Sequence, residues 1–191
     1  MELVLASKSP RRRELLGILG AEFRVVCEET NENIDESKPV TDEIMRLSFD
    51  KAKAVQGKVK SDSVIIAADT VVVLGNKVFG KPKDADEAEK MLKTLSGKTH
   101  SVITGVTVLC GGKVDTRFSE TKVTFRDLSD TEIKSYIATG DPFDKAGGYA
   151  IQGISCIFAK GINGDHFNVY GLPLCLLAEM LRGFGIKILG E

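Results

Sequence analysis

The chain has 191 residues, of which 42% are hydrophobic, enough for one large domain or for two small lobes that share a core. Its formal net charge of -1 attracts neither nucleic acid nor an anionic membrane, so any anion binding must come from a local site. Basic stripes interleaved with aromatic residues are also lacking, which argues against a nucleic-acid partner.

The spacing of the cysteines and the first residues of the chain indicate in which cellular compartment the protein is expected. The four cysteines are scattered without a C-x-x-C pair, which predicts buried reduced thiols rather than a zinc site or a disulfide framework. Met1 leads directly into an apolar stretch, and no apolar run has the length of a membrane helix. We therefore expect a cytoplasmic protein without a signal peptide or a membrane partner.

The first predicted elements are a short buried strand, residues 3–6, and a helix with an unusual first turn. Ser9 suits the N-cap and Pro10 the first helical position, but arginines occupy positions 11–13, where cations oppose the helix dipole. Serines and guanidinium groups at a helix N-terminus predict an anion site, which we interpret as a phosphate site. The alternative is solvated surface, and at least one arginine must point away. The candidates for phosphate contact are Ser7, Ser9 and Arg12.

An acidic loop, residues 28–36, follows a second predicted strand. It has no apolar period, and such loops are usually just solvated. Near a phosphate site, however, it could supply a carboxylate to a divalent cation. Glu32 is the candidate, although the sequence does not select it over Glu28 or Glu29.

The next predicted helix begins after Thr41 and has an apolar face that contains Ile44, Leu47 and Val55. Lys51 falls on the same face. A lysine in that position commonly extends to the surface along its aliphatic stem. If the face borders the site that holds Asp69, Lys51 becomes a phosphate ligand instead.

The central stretch is the apolar strand 64–74, which Asp69 and Thr70 interrupt. An ionised carboxylate in such a strand is costly unless a metal or a cation meets it. Gly75-Asn76 predicts a hairpin whose register sets Thr70 against Lys81 and so brings Lys81 near Asp69. A structural ion pair and a catalytic site explain this pattern equally well.

The remaining elements are predicted by capping boxes, alternation and glycine turns. They are a helix after Asp84, strands at about 99–110 and 113–125, a helix after Ser129, strands at 154–159 and 166–170, and a last helix at 174–181. A Gly- and Pro-rich stretch, residues 138–155, contains Gln152. A glutamine amide offers a donor and an acceptor side by side, which matches the N3–H and O4 edge of uracil or thymine. The alternative is a turn glutamine satisfied by its own surroundings.

Six segments give the chain a specific pattern: SKSPRRRELL (7–16), AADTVV (67–72), GKPKD (80–84), LSGKTHSV (95–102), DKAGGYAIQG (144–153) and GLPL (171–174). In this order they resemble the Maf family of nucleoside triphosphate pyrophosphatases over nearly the whole chain. The resemblance implies one catalytic domain, residues 1–191, with an α/β fold similar to that of inosine triphosphate pyrophosphatases. A long twisted mixed sheet flanked by helices would form two lobes with a central cleft. The resemblance also implies a divalent cofactor, Mg²⁺ or Mn²⁺, and cleavage of a nucleoside triphosphate to the monophosphate and pyrophosphate.

The resemblance assigns roles to individual positions. Asp69 matches the aspartate that activates water, as a general base or through the metal, and Glu32 matches the second metal position. Lys51 and Lys81 match the basic positions that bind phosphate. The positions that discriminate between bases match Arg11, Thr70 and Gln152.

The A-I-Q-G sequence at 150–153 resembles the branch of the family that acts on dTTP and UTP, so we expect these two substrates and modified pyrimidine triphosphates. One alternative is a pyrophosphatase for 7-methyl-GTP or other unusual purine triphosphates. Another is a nucleotide-binding regulator of septum formation and cell division. A homodimer is compatible with the sequence, which identifies no interface for one.

Overall fold

The structure is a computed structural model that describes residues 1–190. Strands and helices alternate along the first two thirds of the chain, and short helices dominate the last third. In chain order the elements are β1 (Leu3–Leu5), α1 (Pro10–Ile18), β2 (Phe23–Val25), α2 (Val40–Gln56), β3 (Val64–Leu74), β4 (Lys77–Phe79), α3 (Ala85–Leu95), β5 (Thr99–Cys110), β6 (Lys113–Phe125), α4 (Asp130–Ala138), three 3₁₀ turns (Asp141–Asp144, Ala146–Gly148, Ile154–Phe158), β7 (Ala159–Asn163), α5 (His166–Tyr170) and α6 (Leu174–Gly183).

A seven-stranded mixed sheet with flanking helices confirms the predicted fold class. The strand order is β2-β1-β3-β5-β6-β7, with β4 paired to β3. Strand β1 runs parallel to both β2 and β3, whereas β4 is antiparallel to β3 and β7 is antiparallel to β6. The apolar runs of β1, β3 and β5 are almost wholly buried, as expected for strands that are covered on both faces.

The chain divides into two compact units. The first unit comprises Met1–Asp69, Thr104–Ser119 and residues 171–190, and the second comprises Thr70–Ile103 and Glu120–Tyr170. In the first unit, helix α2 packs its apolar face on the sheet. The buried residues at this contact come from α2, β1 and the residue after it, β3 and β5: Val4, Ala6, Ala52, Val55, Ile65, Ala67 and Leu109.

An aromatic cluster forms the core of the second unit. His100, Phe125 and Tyr149 pack edge to face, with ring centroids 4.6 to 5.4 Å apart. His100 Nε2 and the Tyr149 hydroxyl are 2.6 Å apart, and burial lowers the pKa of His100 to about 4. This histidine therefore has a structural role as a neutral core residue.

Three local predictions were wrong. Helix α2 has Pro39 rather than Thr41 at its N-cap. Residues 154–158 form a 3₁₀ turn, and 166–170 form a short helix instead of a strand. Short apolar runs do not distinguish strand from helix, and the Asp165 carboxylate accepts a hydrogen bond from the Phe167 amide at 2.8 Å, as a helix cap does.

The prediction that the cysteines are buried was wrong. All four thiols are free, but none is buried, since Cys156 and Cys175 are exposed and the other two are half-buried. In residues 1–190, no helix combines the length and the apolar character that crossing a bilayer requires.

Acid should weaken the fold through His100. The unfolded chain takes up this proton near pH 6.5 and the folded chain only near pH 4, so stability falls as the pH drops between these values. The loss approaches about 3 kcal/mol at most. Denaturant unfolding between pH 4.5 and 7 should show this slope in the wild type and lose it in His100→Phe. The depressed carboxylates Glu43 and Glu132 contribute mainly below pH 4.5.

The other histidine provides the control. His166 is exposed, so His166→Gln should retain the wild-type slope. A slope that survives in His100→Phe would show that another group controls acid stability.

Candidate active site

The turn between β1 and α1 gathers polar groups in the first unit. The Ser9 hydroxyl caps α1 by accepting a hydrogen bond from the Arg12 amide at 3.5 Å. Ser7, which is buried at the end of β1, accepts a hydrogen bond from the Ser9 amide at 3.2 Å. The turn therefore places two hydroxyl groups at the positive end of the helix dipole, a suitable environment for an anion.

Arg12 is fixed in place although it lies in the first turn of a helix. Its Nε donates to the Gly171 carbonyl at 2.8 Å, and its Nη1 lies 3.4 Å from the Ser7 hydroxyl. Burial lowers the pKa of Arg12, while the negative charge of Asp69 acts in the opposite direction. Because an arginine in a protein stays protonated, a cation is held here with Nη2 4.0 Å from Asp69 Oδ1.

Lys51 contacts Asp69 and connects it to the acidic loop. Its Nζ lies 3.1 Å from Asp69 Oδ1 and 2.7 Å from Glu32 Oε1. The side chains of Lys51 and Asp69 are only 13% and 16% exposed, whereas that of Glu32 is 55% exposed. Coulomb attraction to Lys51 and Arg12 offsets the cost of withdrawing the Asp69 carboxylate from water.

Close packing of α2 on β5 sets the position of Lys51. A Cβ atom built on Gly105 would lie only 2.7 Å from the Ile44 carbonyl carbon, so only glycine permits this approach of the two backbones. The Ser48 hydroxyl also lies 2.8 Å from that of Thr107 on β5. Helix α2 is thus fixed against the strand one turn before Lys51.

The donor set of this cluster fits a hard divalent cation. Glu32 and Asp69 already converge on one positive charge, the Lys51 ammonium group, and carboxylate oxygens are the ligands that Mg²⁺ prefers. Residues 1–190 contain no group of three or more His, Cys, Asp or Glu side chains arranged for a metal. Two carboxylates suffice where substrate phosphates and water complete the coordination of Mg²⁺.

Arg11, in the first turn of α1, is half-buried in the first unit. The remaining candidates belong to the second unit, where two loops meet. The Gly147 amide donates to the Gly80 carbonyl at 2.9 Å, which joins the GKPKD segment to the DKAGGYAIQG segment. Gly147 has a positive φ of 68°, and an added Cβ would lie 3.0 Å from Val72 Cγ2. Lys145 is 8% exposed and contacts Asp141 and Asp144, which fixes the start of the second loop.

Gln152 and Lys81 are exposed on these loops, and Thr70 is half-buried on β3. The Ser155 hydroxyl bonds to both the amide and the carbonyl of Ala150, at 3.1 and 3.0 Å, and closes the turn that carries Gln152. Gln152 is therefore presented by an ordered turn.

The predicted hairpin register holds for three pairs but does not extend to Lys81. Leu74 pairs with Lys77, Val73 with Val78 and Val72 with Phe79, after which β4 ends. Pro82 has no amide hydrogen for a ladder, and the Gly80 carbonyl accepts from Gly147 instead. Lys51, which the sequence offered only as a conditional candidate, contacts Asp69. The predicted position of Lys81 near Asp69 stays a prediction.

Sequence reasoning missed two functional groups of the first unit. The Gly171 carbonyl, which orients Arg12, lies in the GLPL segment, whose role the sequence did not reveal. Gly105 determines how closely α2 approaches β5. A glycine inside a long apolar strand was the available signal, because such residues often mark close backbone approach.

Comparisons with known proteins identify a family pattern and a shared fold. The pattern of the Maf family, described as Maf-like protein, matches residues 2–184. A relative from Thermoanaerobacter sp. named dTTP/UTP pyrophosphatase is 48% identical over 192 residues, which cover 99% of this chain and 100% of the relative. A Bacillus cereus relative of the same name is 43% identical over 187 residues, with coverage of 98% and 97%. The Staphylococcus aureus Ham1 protein shares the fold, with a TM-score of 0.54 at 13% identity over 96% of this chain and 99% of that one.

Proposed function

This chain belongs to the Maf family, and we propose that it is a nucleoside triphosphate pyrophosphatase that hydrolyses dTTP and UTP to the monophosphate and pyrophosphate. The names of its full-length relatives support the substrate pair. The observation that carries the proposal is the cluster in which Lys51 joins Glu32 and Asp69 beside the capped N-terminus of α1. It combines carboxylates for water activation with cationic groups for phosphate.

Phosphate binding is the task of the positive groups. Attack at the α-phosphorus develops negative charge on the non-bridging oxygens and on the departing pyrophosphate. Arg12, Lys51 and the N-terminus of α1 with Ser7 and Ser9 supply preorganised positive charge and donors for these oxygens. Lys81, which is exposed on its loop, is a further phosphate ligand in this proposal.

Asp69 accepts a proton from the attacking water. Arg12 and Lys51 fix one carboxylate oxygen, so the group can be aligned before the substrate arrives. Glu32 and Asp69 would hold Mg²⁺ or Mn²⁺, which supplies charge neutralisation and Lewis acidity when bound.

Base selection falls to Arg11, Thr70 and Gln152. The amide of Gln152 can donate to O4 and accept from N3–H of a pyrimidine, because it carries both functions side by side. The ordered turn from Ala150 to Ser155 reduces the conformational freedom that this amide loses on binding.

A substrate panel tests the proposed activity. Pyrophosphate release should be metal-dependent and greatest with dTTP and UTP among natural and modified nucleoside triphosphates. Asp69→Asn, which keeps the size of the side chain but removes its basicity, should lower kcat by at least about 10²-fold while circular dichroism stays unchanged. Near-wild-type turnover by Asp69→Asn would exclude the assigned mechanism. Nucleotide binding without any turnover would favour a regulatory protein.

Gln152→Glu tests base recognition separately from the chemistry. A carboxylate cannot donate to O4, so kcat/KM for dTTP and UTP should fall by about tenfold to a hundredfold, equivalent to about 1–3 kcal/mol. Lys160→Gln, at another exposed position of the second unit, should change neither value. Unchanged cleavage of both pyrimidine nucleotides by Gln152→Glu would remove this residue from base selection.

A further inference from the structure

The loop that carries Glu32 needs an anchor. No helix or strand occurs between Val25, where β2 ends, and Val40, where α2 begins. The Glu32 side chain is 55% exposed, and ion pairs at exposed positions contribute little to stability, so further contacts are needed to order the loop.

Two side chains of α2 bind the backbone of this loop next to Glu32. Arg46 Nη2 donates to the Asn33 carbonyl at 2.8 Å, and Glu43 Oε2 accepts from the Asp35 amide at 2.9 Å. These backbone groups lie one and three residues after Glu32. Both hydrogen bonds involve an ionised partner, and such bonds are stronger than those between neutral groups.

The two anchoring side chains are bonded to each other as well as to the loop. Arg46 contacts both carboxylate oxygens of Glu43, with Nε 3.1 Å from Oε1 and Nη2 2.7 Å from Oε2, and its Nη1 is 2.8 Å from Asp50 Oδ2. The Glu43 side chain is only 2% exposed. Hydrogen bonds from Arg46 and from the Asp35 amide lower the pKa of Glu43 to about 2, so the carboxylate stays ionised near neutral pH.

Helix α2 contains Lys51 and also binds the backbone of the loop that contains Glu32. Glu43, Arg46 and Asp50 follow the three- and four-residue spacing of one helix face, and Lys51 comes next along the helix. We propose that Glu43 and Arg46 are positioning residues, which hold the 31–35 backbone so that Glu32 meets the cation position beside Asp69. The inference rests on the proposed function in one respect, the role of Glu32 as a metal ligand.

Hydrogen exchange tests the anchor without any substrate. In the wild type the Asp35 amide should be protected although it lies in an irregular loop. Arg46→Lys keeps the charge of the side chain but loses the guanidinium fork, so amides 31–36 should exchange about tenfold faster while amides 64–69 of β3 stay unchanged. Lys53→Met, on the same helix with its ammonium group bonded only locally to Gln56, is the matched control.

Two results of this experiment would overturn the anchoring role. One is an unprotected Asp35 amide in the wild type, a result that does not depend on how any variant folds. The other is wild-type exchange of residues 31–36 in Arg46→Lys.

Binding of Mn²⁺ alone tests whether the anchor acts through Glu32. It is measured from the electron paramagnetic resonance signal of the free ion. Arg46→Lys should raise the Kd by about tenfold, the scale found for residues that orient metal ligands. Adding Arg46→Lys to Glu32→Gln should have little further effect. A double variant whose Kd is about tenfold above that of Glu32→Gln alone would contradict this role. A wild type that does not bind Mn²⁺ would also contradict it.

Kinetics then separate positioning from loss of folded enzyme. Arg46→Lys should need several times more Mg²⁺ for half-maximal rate and approach the wild-type kcat at saturation. A lower kcat with unchanged metal dependence would indicate a merely structural role. If the wild type cleaves no nucleotide, the proposed function fails, whereas exchange and Mn²⁺ binding still decide the positioning role.

Discussion

The structure of the first unit depends on keeping a carboxylate inside an apolar strand. Asp69 follows five buried residues of β3, where an isolated charge would be far more costly than any single packing contact is favourable. Lys51 at 3.1 Å and Arg12 at 4.0 Å offset that cost. Each comes from a different helix, so the charged cluster is complete only when both α1 and α2 are docked on the sheet.

The cluster also shows how tertiary packing produces chemistry. Helix α2 reaches Asp69 because Gly105 lets its backbone lie against β5, and Arg12 is held by a carbonyl from the distant GLPL segment. The positive groups that stabilise Asp69 in the resting protein are those that would bind phosphate oxygens during catalysis. In the proposed function, stability and catalysis therefore use the same charges, and Glu32 and Asp69 are the acidic side of the site.

Local patterns predicted much of this arrangement. The apolar run of β3, the Gly75-Asn76 hairpin and the Ser129 capping box depend on neighbouring residues, and the structure confirms them. The contact between Asp69 and Lys51 depends on how a helix docks on a sheet, so the sequence could offer Lys51 only as a conditional candidate. The anchoring of the Glu32 loop by Glu43 and Arg46 was also beyond sequence reasoning, because it joins side chains to backbone groups that have no periodic pattern.

The free energy of interaction between Lys51 and Asp69 is the most direct test of this account. Denaturant unfolding of the wild type, Lys51→Met, Asp69→Asn and the double variant gives that quantity as a double-mutant cycle. We predict that Lys51→Met is destabilising, that adding Asp69→Asn recovers much of the loss, and that the coupling is about 1–3 kcal/mol. Effects that add to within about 0.5 kcal/mol would show that the Asp69 carboxylate does not depend on this lysine.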